Sequence, residues 1–304
     1  MFHKNDTVSC AFFLGTCYNL RMEQAILQFF ESIRCPALTY FFGFFSLFGE
    51  PTVFAVVVIL VYWLANAHTG EQLALSALTS LPVNVALKLV VARPRPYAAG
   101  AVSRLDVDTP LFSTVGLGDN VSFPSGHSQC AANYLCGVSA RARRTWVWAI
   151  ASVCTLLVMC SRLYFGVHYP TDVLLGAFLG IVIAVCWELI YTRAHGARLP
   201  IACGAAILAL ALAPLFPETD YMQAAGLLAG AALALSAEDF CPAPKDVPFP
   251  RRLWRIPVGI LFAGGAFALT FAFPDAPAWE LVGWFLVAFA AVLPARRLFY
   301  LLKI

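Results

Sequence analysis

The stretch SRLYFGVHYPTD, residues 161–172, carries residue types that can perform nucleophilic chemistry. Pro170 suits the first turn of a helix, so Asp172 should lie in that turn and His168 just before it. The Asp172 carboxylate can then bind one ring nitrogen of His168 and leave the other nitrogen free to attack. A plain interfacial ion pair is the weaker interpretation, because ionisable groups are costly in membranes and usually functional there.

A second stretch, PSGH at residues 124–127, combines a helix start with a titratable ring. Pro124 and Ser125 are typical of a helix amino terminus, and Gly126 permits close backbone approach. The free N–H groups of such a terminus bind anions, and His127 can supply a proton near neutral pH. Taken alone, the stretch is equally consistent with a capped helix that carries an interfacial histidine.

The third stretch, KLVVARPRP at residues 88–96, places Lys88 and Arg95 at the end of an apolar run. Seven positions separate Lys88 from Arg95, which puts both side chains on nearly one face of a helix. Pro94 and Pro96 should end that helix, so Arg95 lies at the membrane surface. By itself this pattern favours two snorkelling cations beside a stop signal over a binding site.

The composition indicates what kind of scaffold must position these residues. The chain has 304 residues, of which 61% are hydrophobic and 12% charged, and its mean hydropathy is +0.77. Because soluble domains carry about 25% charged residues, we expect an integral membrane protein. The net charge of +3 gives no reason to expect a nucleic-acid partner. The ten cysteines show no metal-binding spacing and lie mostly in apolar runs, as small hydrophobes do.

Nine apolar runs approach the length that a membrane-spanning helix needs, roughly 20 residues. We therefore predict an all-α polytopic membrane bundle of about nine spans. An amphipathic helix over residues 21–34 should precede them in the interface plane, because apolar residues recur there at helical spacing. The nine runs cover residues 51–66, 72–91, 126–140, 145–161, 170–192, 199–216, 222–237, 255–273 and 278–295.

Basic residues are concentrated in alternate loops. PETDY at residues 217–221 and PDAPA at 274–278 contain none, whereas residues 141–144 read RARR. Basic loops stay cytoplasmic, so the loops that contain His127 and His168 should face the opposite side. The other basic positions on the predicted cytoplasmic side are Arg193, Arg198, Lys245, Arg251, Arg252, Arg255, Arg296, Arg297 and Lys303.

Together the three stretches give the pattern K-x6-RP, PSGH and SR-x5-H-x3-D, in this order and on one predicted face. This pattern resembles the type 2 phosphatidic acid phosphatase (PAP2) superfamily, which includes lipid phosphatases, glucose-6-phosphatase-like enzymes, lipid phosphotransferases and vanadium haloperoxidases. The resemblance implies a catalytic core of about six helices in residues 51–192. Residues 1–50 would be an interfacial segment, and residues 193–304 would add spans whose small residues favour a scaffold or interface.

The resemblance also implies a role for each motif residue. His168 is the nucleophile that forms a phosphohistidine, Asp172 orients it, and His127 protonates the leaving oxygen and then activates water. Fixed cations and N–H donors suit this reaction, because phosphoryl transfer spreads charge over the equatorial oxygens. We expect no metal and no other cofactor. The implied phosphate-binding residues are Lys88, Arg95, Ser125, Gly126 and Arg162.

We therefore expect a membrane phosphatase for a lipid phosphate monoester or pyrophosphate, such as phosphatidylglycerophosphate, polyprenyl pyrophosphate or phosphatidic acid. Lipid A phosphates and glucose 6-phosphate stay open as substrates, and a lipid phosphotransferase would share every motif. A channel or scramblase need not keep both histidines, and a haloperoxidase would not build its site into membrane helices. The expected location is a bacterial inner membrane with the site facing the periplasm or exterior, in an oligomeric state left open.

Overall fold

The computed structural model describes residues 9–105, 121–238 and 247–304. Within these ranges the chain is helical and contains no β-strand apart from an isolated bridge between Pro94 and Val121, which confirms the predicted all-α class. In chain order the helices are α1 (Ser9–Ser32), α2 (Pro36–Ser46), α3 (Pro51–Leu60), α4 (Ala67–Val91), α5 (Gly126–Ala142), α6 (Thr145–Tyr164), α7 (Pro170–Arg193), α8 (Arg198–Leu212), α9 (Thr219–Glu238), α10 (Phe249–Arg252), α11 (Arg255–Thr270) and α12 (Pro277–Leu302).

Each of the nine apolar runs lies mainly on helical residues. Six helical segments in the described ranges are long and apolar enough to cross a membrane alone. A seventh span results if Pro36–Gly49 and Pro51–Ala65, which meet at a bend of 52°, count as one. The helices α5 and α9 are not among these candidates, and α5 has only 17 residues. Length and composition thus support six or seven spans where the sequence predicts about nine.

The helix α5 carries polar side chains that lie inside the bundle. Gln129 donates to the carbonyl and the hydroxyl of Ser80 at 3.0 and 2.7 Å and accepts from Asn84 at 2.7 Å. Asn133 donates to the hydroxyl of Ser76 at 2.9 Å. Because these side chains bond to the neighbouring helix α4, their polar groups are satisfied inside the bundle.

Glycines in α7 allow it to pack closely against α5. A Cβ at Gly176 would meet the carbonyl oxygen of Ser125, and a Cβ at Gly180 would meet that of Gln129. Small residues let helix backbones approach in this way inside membranes. The contact brings the amino termini of α5 and α7 side by side, and these termini carry the second and third sequence motifs.

The carboxyl-terminal helices share a hydrophobic core with the rest of the bundle. Trp63, in the π turn Val61–Ala65, donates its indole N–H to the carbonyl of Ala291 in α12 at 3.1 Å. Arg255 donates to the carbonyl of Trp63 at 2.5 Å, and Arg296 donates to the hydroxyl of Tyr62 at 3.1 Å. One cluster of buried side chains extends from these residues through α4, α7, α8, α9 and α12.

The amphipathic helix predicted for residues 21–34 forms the last part of α1, which ends at Ser32. Met22 and Phe29 are 58% and 60% exposed, whereas Leu27 and Glu23 are buried against the bundle. An exposed apolar face is what an interfacial helix presents to lipid, and the position in the interface stays a prediction. Lys245, used above to predict sidedness, lies outside the described residues.

We expect Gly180→Ala to destabilise the protein and Gly204→Ala to leave its stability equal or higher. A methyl group at Gly180 would meet the backbone of α5, and overpacking costs about 1–3 kcal/mol. Gly204, in α8, has open space at its Cβ position, so alanine there only adds helix propensity. Thermal unfolding in detergent is the measurement, and a Gly180→Ala midpoint at or above that of Gly204→Ala would contradict the close contact.

Candidate active site

Asp172 is a fully buried carboxylate at the start of α7. As predicted, Pro170 begins this helix and places Asp172 in its first turn. Oδ2 accepts the backbone N–H of Tyr169 at 2.8 Å, and Oδ1 accepts from Nη1 of Arg93 at 2.9 Å. A buried charge without such partners would cost several kcal/mol. These bonds therefore fix both the position and the orientation of the carboxylate.

His168 lies just before α7 with its ring against Asp172. Nδ1 is 3.6 Å from Oδ2 of Asp172, and among the described residues it has no hydrogen-bond partner. At this distance the carboxylate acts on the ring by electrostatic attraction and not through a hydrogen bond. Burial, followed by the charges of Arg162, Arg95 and Lys88, lowers the pKa of His168 well below its usual range. The ring is therefore neutral near pH 7, and Nε2 lies on the side away from Asp172.

His127 is the second residue of α5. Its Nε2 lies 3.2 Å from Oε2 of Glu50. Glu50 precedes α3, at the bend between Pro36–Gly49 and Pro51–Ala65. A carboxylate at this distance stabilises the imidazolium that forms when His127 takes up a proton. With Glu50 beside it, His127 is therefore suited to donate a proton and to take one up again.

Three cations accompany the two histidines. Arg162, near the end of α6, is 1% exposed and donates from Nη1 to the hydroxyl of Ser46 at 2.8 Å. Arg95 is 3% exposed and donates to the carbonyl of the residue before His168 at 3.3 Å. Lys88 lies in the last turn of α4. All three contribute positive potential at His168.

A single cavity of about 940 Å³ connects these groups. Glu50 is part of its lining. Two predicted site residues, Ser125 and Asp172, are fully buried and lie behind the cavity wall. The other predicted site residues all line the cavity: Lys88, Arg95, Gly126, His127, Arg162 and His168.

Ser125 supports the site from behind. Its N–H donates to the carbonyl of Asp172 at 3.0 Å and so joins α5 to α7. Its Oγ accepts the backbone N–H of Ser128 at 3.4 Å and the Ser128 hydroxyl at 3.0 Å. These bonds make Ser125 the amino-terminal cap of α5. A contact between its hydroxyl and phosphate stays a prediction.

The sequence motifs assign no role in the site to Arg93 or Glu50. Besides Asp172, Arg93 binds Oε2 of Glu23 at 2.6 Å, and its guanidinium lies 3.7 Å from the centre of the Tyr169 ring. The doubled Arg-Pro of residues 93–96 was the available signal for Arg93. Glu50 is far from every motif in sequence, and no local pattern marks it.

The arrangement is suited to attack on a phosphoryl group. A neutral imidazole, a second imidazole beside a carboxylate and three cations surround one space. Cations fixed in place stabilise the charge on a phosphoryl group during transfer. In the part of the chain that the structure describes, no three His, Cys, Asp or Glu side chains come together as a metal-binding group.

Comparison with known proteins agrees with this chemistry. Residues 69–195, which contain every predicted site residue, match the sequence model of the PAP2 superfamily. An undecaprenyl-diphosphatase from Sulfolobus acidocaldarius is 26% identical over 168 residues, which are 55% of this chain and 77% of that relative. A lipid A 4'-phosphatase from Bacteroides thetaiotaomicron is 24% identical over 166 residues, 52% of this chain and 72% of its own.

Among solved structures, a PAP2-type phosphatidylglycerolphosphate phosphatase from Bacillus subtilis is 25% identical in sequence. The superposition covers 56% of this chain and 84% of that protein, with a TM-score of 0.47. The match to the family model ends at residue 195, so α8–α12 lie beyond it. Residues 69–195 thus carry the sequence pattern of the PAP2 superfamily, in agreement with the resemblance shown by the three motifs.

Proposed function

We propose that this protein hydrolyses a lipid phosphate monoester or pyrophosphate through a phosphohistidine at His168. The observation that supports this most is the position of His168, which faces Asp172 on one side and shares a cavity with His127 and the three cations. The names of the two relatives describe phosphatases of a polyprenyl diphosphate and of lipid A. A membrane lipid phosphate is therefore the substrate class we propose.

In the first step, Nε2 of His168 forms a bond to phosphorus while the bond from phosphorus to the leaving oxygen breaks. Protonated His127 gives its proton to that oxygen. In the second step, a water molecule gives a proton to His127. The oxygen of that water bonds to phosphorus as the phosphorus–nitrogen bond breaks. Inorganic phosphate leaves, and both histidines return to their starting protonation states.

Charged side chains that are already fixed in the site would stabilise the charges that develop during the reaction. Asp172 stabilises the positive charge that His168 gains on phosphorylation, and Tyr169 and Arg93 hold the carboxylate in place for it. The cations Lys88, Arg95 and Arg162 would bind the phosphoryl oxygens. We propose that they supply the stabilisation that a metal ion supplies in many other phosphoryl-transfer enzymes.

The proposal also covers the face of the membrane on which the site lies. The charge pattern of the loops favours a site on the non-cytoplasmic face, which is the periplasmic or outer face if the membrane is a bacterial inner membrane. A lipid substrate would then reach the site from the outer leaflet.

The two histidines should fail differently when replaced by alanine. Without His168 no phosphoenzyme forms, so every substrate is inert. Without His127 the leaving oxygen lacks its proton, which costs about 10²–10⁴-fold on alkyl phosphates. The aryloxide of an aryl phosphate can leave without a proton from His127. The variant His127→Ala should therefore still release a burst of aryl alcohol from such a substrate.

The measurement is stopped-flow release of aryl alcohol, beside phosphate release from a panel of lipid phosphates and pyrophosphates. Asp172→Asn should fall between the two histidine variants, because it disorients the nucleophile without removing it. His195→Ala, a change at an exposed ring in the turn before α8, is the matched control and should behave as wild type. A burst from His168→Ala would show that the nucleophile is assigned wrongly.

Catalysis should continue in excess chelator, because the phosphoryl charge is met by Lys88, Arg95 and Arg162. Vanadate should inhibit, since it adopts the trigonal-bipyramidal geometry of phosphoryl transfer and would bind at His168. Phosphate release with and without chelator is the measurement. Activity that disappears in chelator and returns with magnesium would overturn the metal-independent proposal.

A further inference from the structure

The cavity that contains the histidines continues far beyond them. From the site it extends between α3 and α4 on one side and α9 and α12 on the other, and its lining becomes mostly apolar, with Glu71 at the far end. Typical residues of this apolar part are Leu78, Leu81, Leu227, Ala231, Val287 and Ala288. Helices α9 and α12 lie outside the region that matches the PAP2 family model.

The length of the cavity can be read along α4. Lys88 lines it at the site, and Glu71 lines it at the other end of the same helix. At a rise of about 1.5 Å per residue, these positions are about 25 Å apart. One leaflet contributes only about 15 Å, half of the hydrocarbon thickness of roughly 30 Å. The cavity is thus deeper than a single leaflet.

The far end of the cavity is closed by contacts between the two halves of the chain. Tyr62 and Ala291 both line the cavity there. The neighbouring Trp63 donates to the carbonyl of Ala291, and Arg296 donates to the hydroxyl of Tyr62. The space therefore has a polar, cationic mouth at the histidines, apolar walls and a closed floor.

We propose that this cavity holds the hydrocarbon chain of the phosphorylated substrate, with α9 and α12 forming one side of its wall. The inference rests on the proposed function, since it places the phosphate at His168 and the chain below it. A hydrocarbon chain gains little affinity on leaving lipid for an equally apolar wall. The cavity would therefore select by shape and depth, while the cations hold the phosphate.

The depth favours one class of substrate. A phosphate or diphosphate on a flexible chain longer than one leaflet, such as a polyprenyl chain, would fill the cavity from its mouth to its floor. A short chain would leave the lower part without contacts. The depth of the cavity therefore predicts that the protein distinguishes substrates by chain length when their headgroups are the same.

The test compares undecaprenyl diphosphate with farnesyl diphosphate, which share a headgroup. Val287→Phe in α12 and Leu227→Phe in α9 each place a ring in the cavity. Each should lower the ratio of kcat/KM for the long chain over the short chain about tenfold or more. Val282→Phe is the matched control, because Val282 is on the same helix as Val287, is 37% exposed and does not line the cavity. A ratio in both cavity variants equal to that of Val282→Phe overturns the proposal.

A second readout needs no catalysis. A long-chain alkylphosphonate with a photoreactive group at its far end should label peptides from α9 or α12 near the cavity floor, and Val287→Phe should abolish that label. Label confined to lipid-facing positions such as Leu233, which is 51% exposed, overturns the proposal. If wild-type protein hydrolyses no phosphate but still gives the floor label, the proposed function fails while the cavity assignment holds.

Discussion

The site depends on the buried carboxylate of Asp172. A carboxylate without solvent contact is tolerated only when its oxygens are bonded and its charge is balanced. Arg93 and the N–H of Tyr169 meet both needs, and Arg93 in turn binds Glu23 from α1. The loop before α7, the end of α4 and the amino-terminal helix are thereby joined at one point, beside the nucleophile His168.

The same requirement explains why the interior of the bundle is polar near the site. The backbone N–H of Ser125 bonds to the carbonyl of Asp172, which sets the start of α5 and hence the position of His127. Glycines of α7 make this approach possible, and Gln129 and Asn133 then bond to α4. The positive charges of Lys88, Arg95 and Arg162 are concentrated where a phosphoryl group would need them.

Much of this could be predicted from the sequence because it depends on local patterns. Apolar runs, the proline and serine of helix starts and the spacing of His168 and Asp172 are all readable within a few residues. The sequence counts α5 among about nine spans, but length and hydropathy do not support it as one, because its polar side chains have their partners on other helices. Glu50 and the cavity wall of α9 and α12 depend on tertiary contacts between distant segments, which no local pattern records.

The central claim is that His168, held by Asp172, carries the phosphoryl group during turnover. The most direct measurement is rapid quenching during turnover of a radiolabelled substrate, followed by identification of the labelled residue. The account predicts an acid-labile, alkali-stable phosphohistidine at position 168 in the wild type, and no label in His168→Ala. Label on His127, or label that persists in His168→Ala, would contradict it.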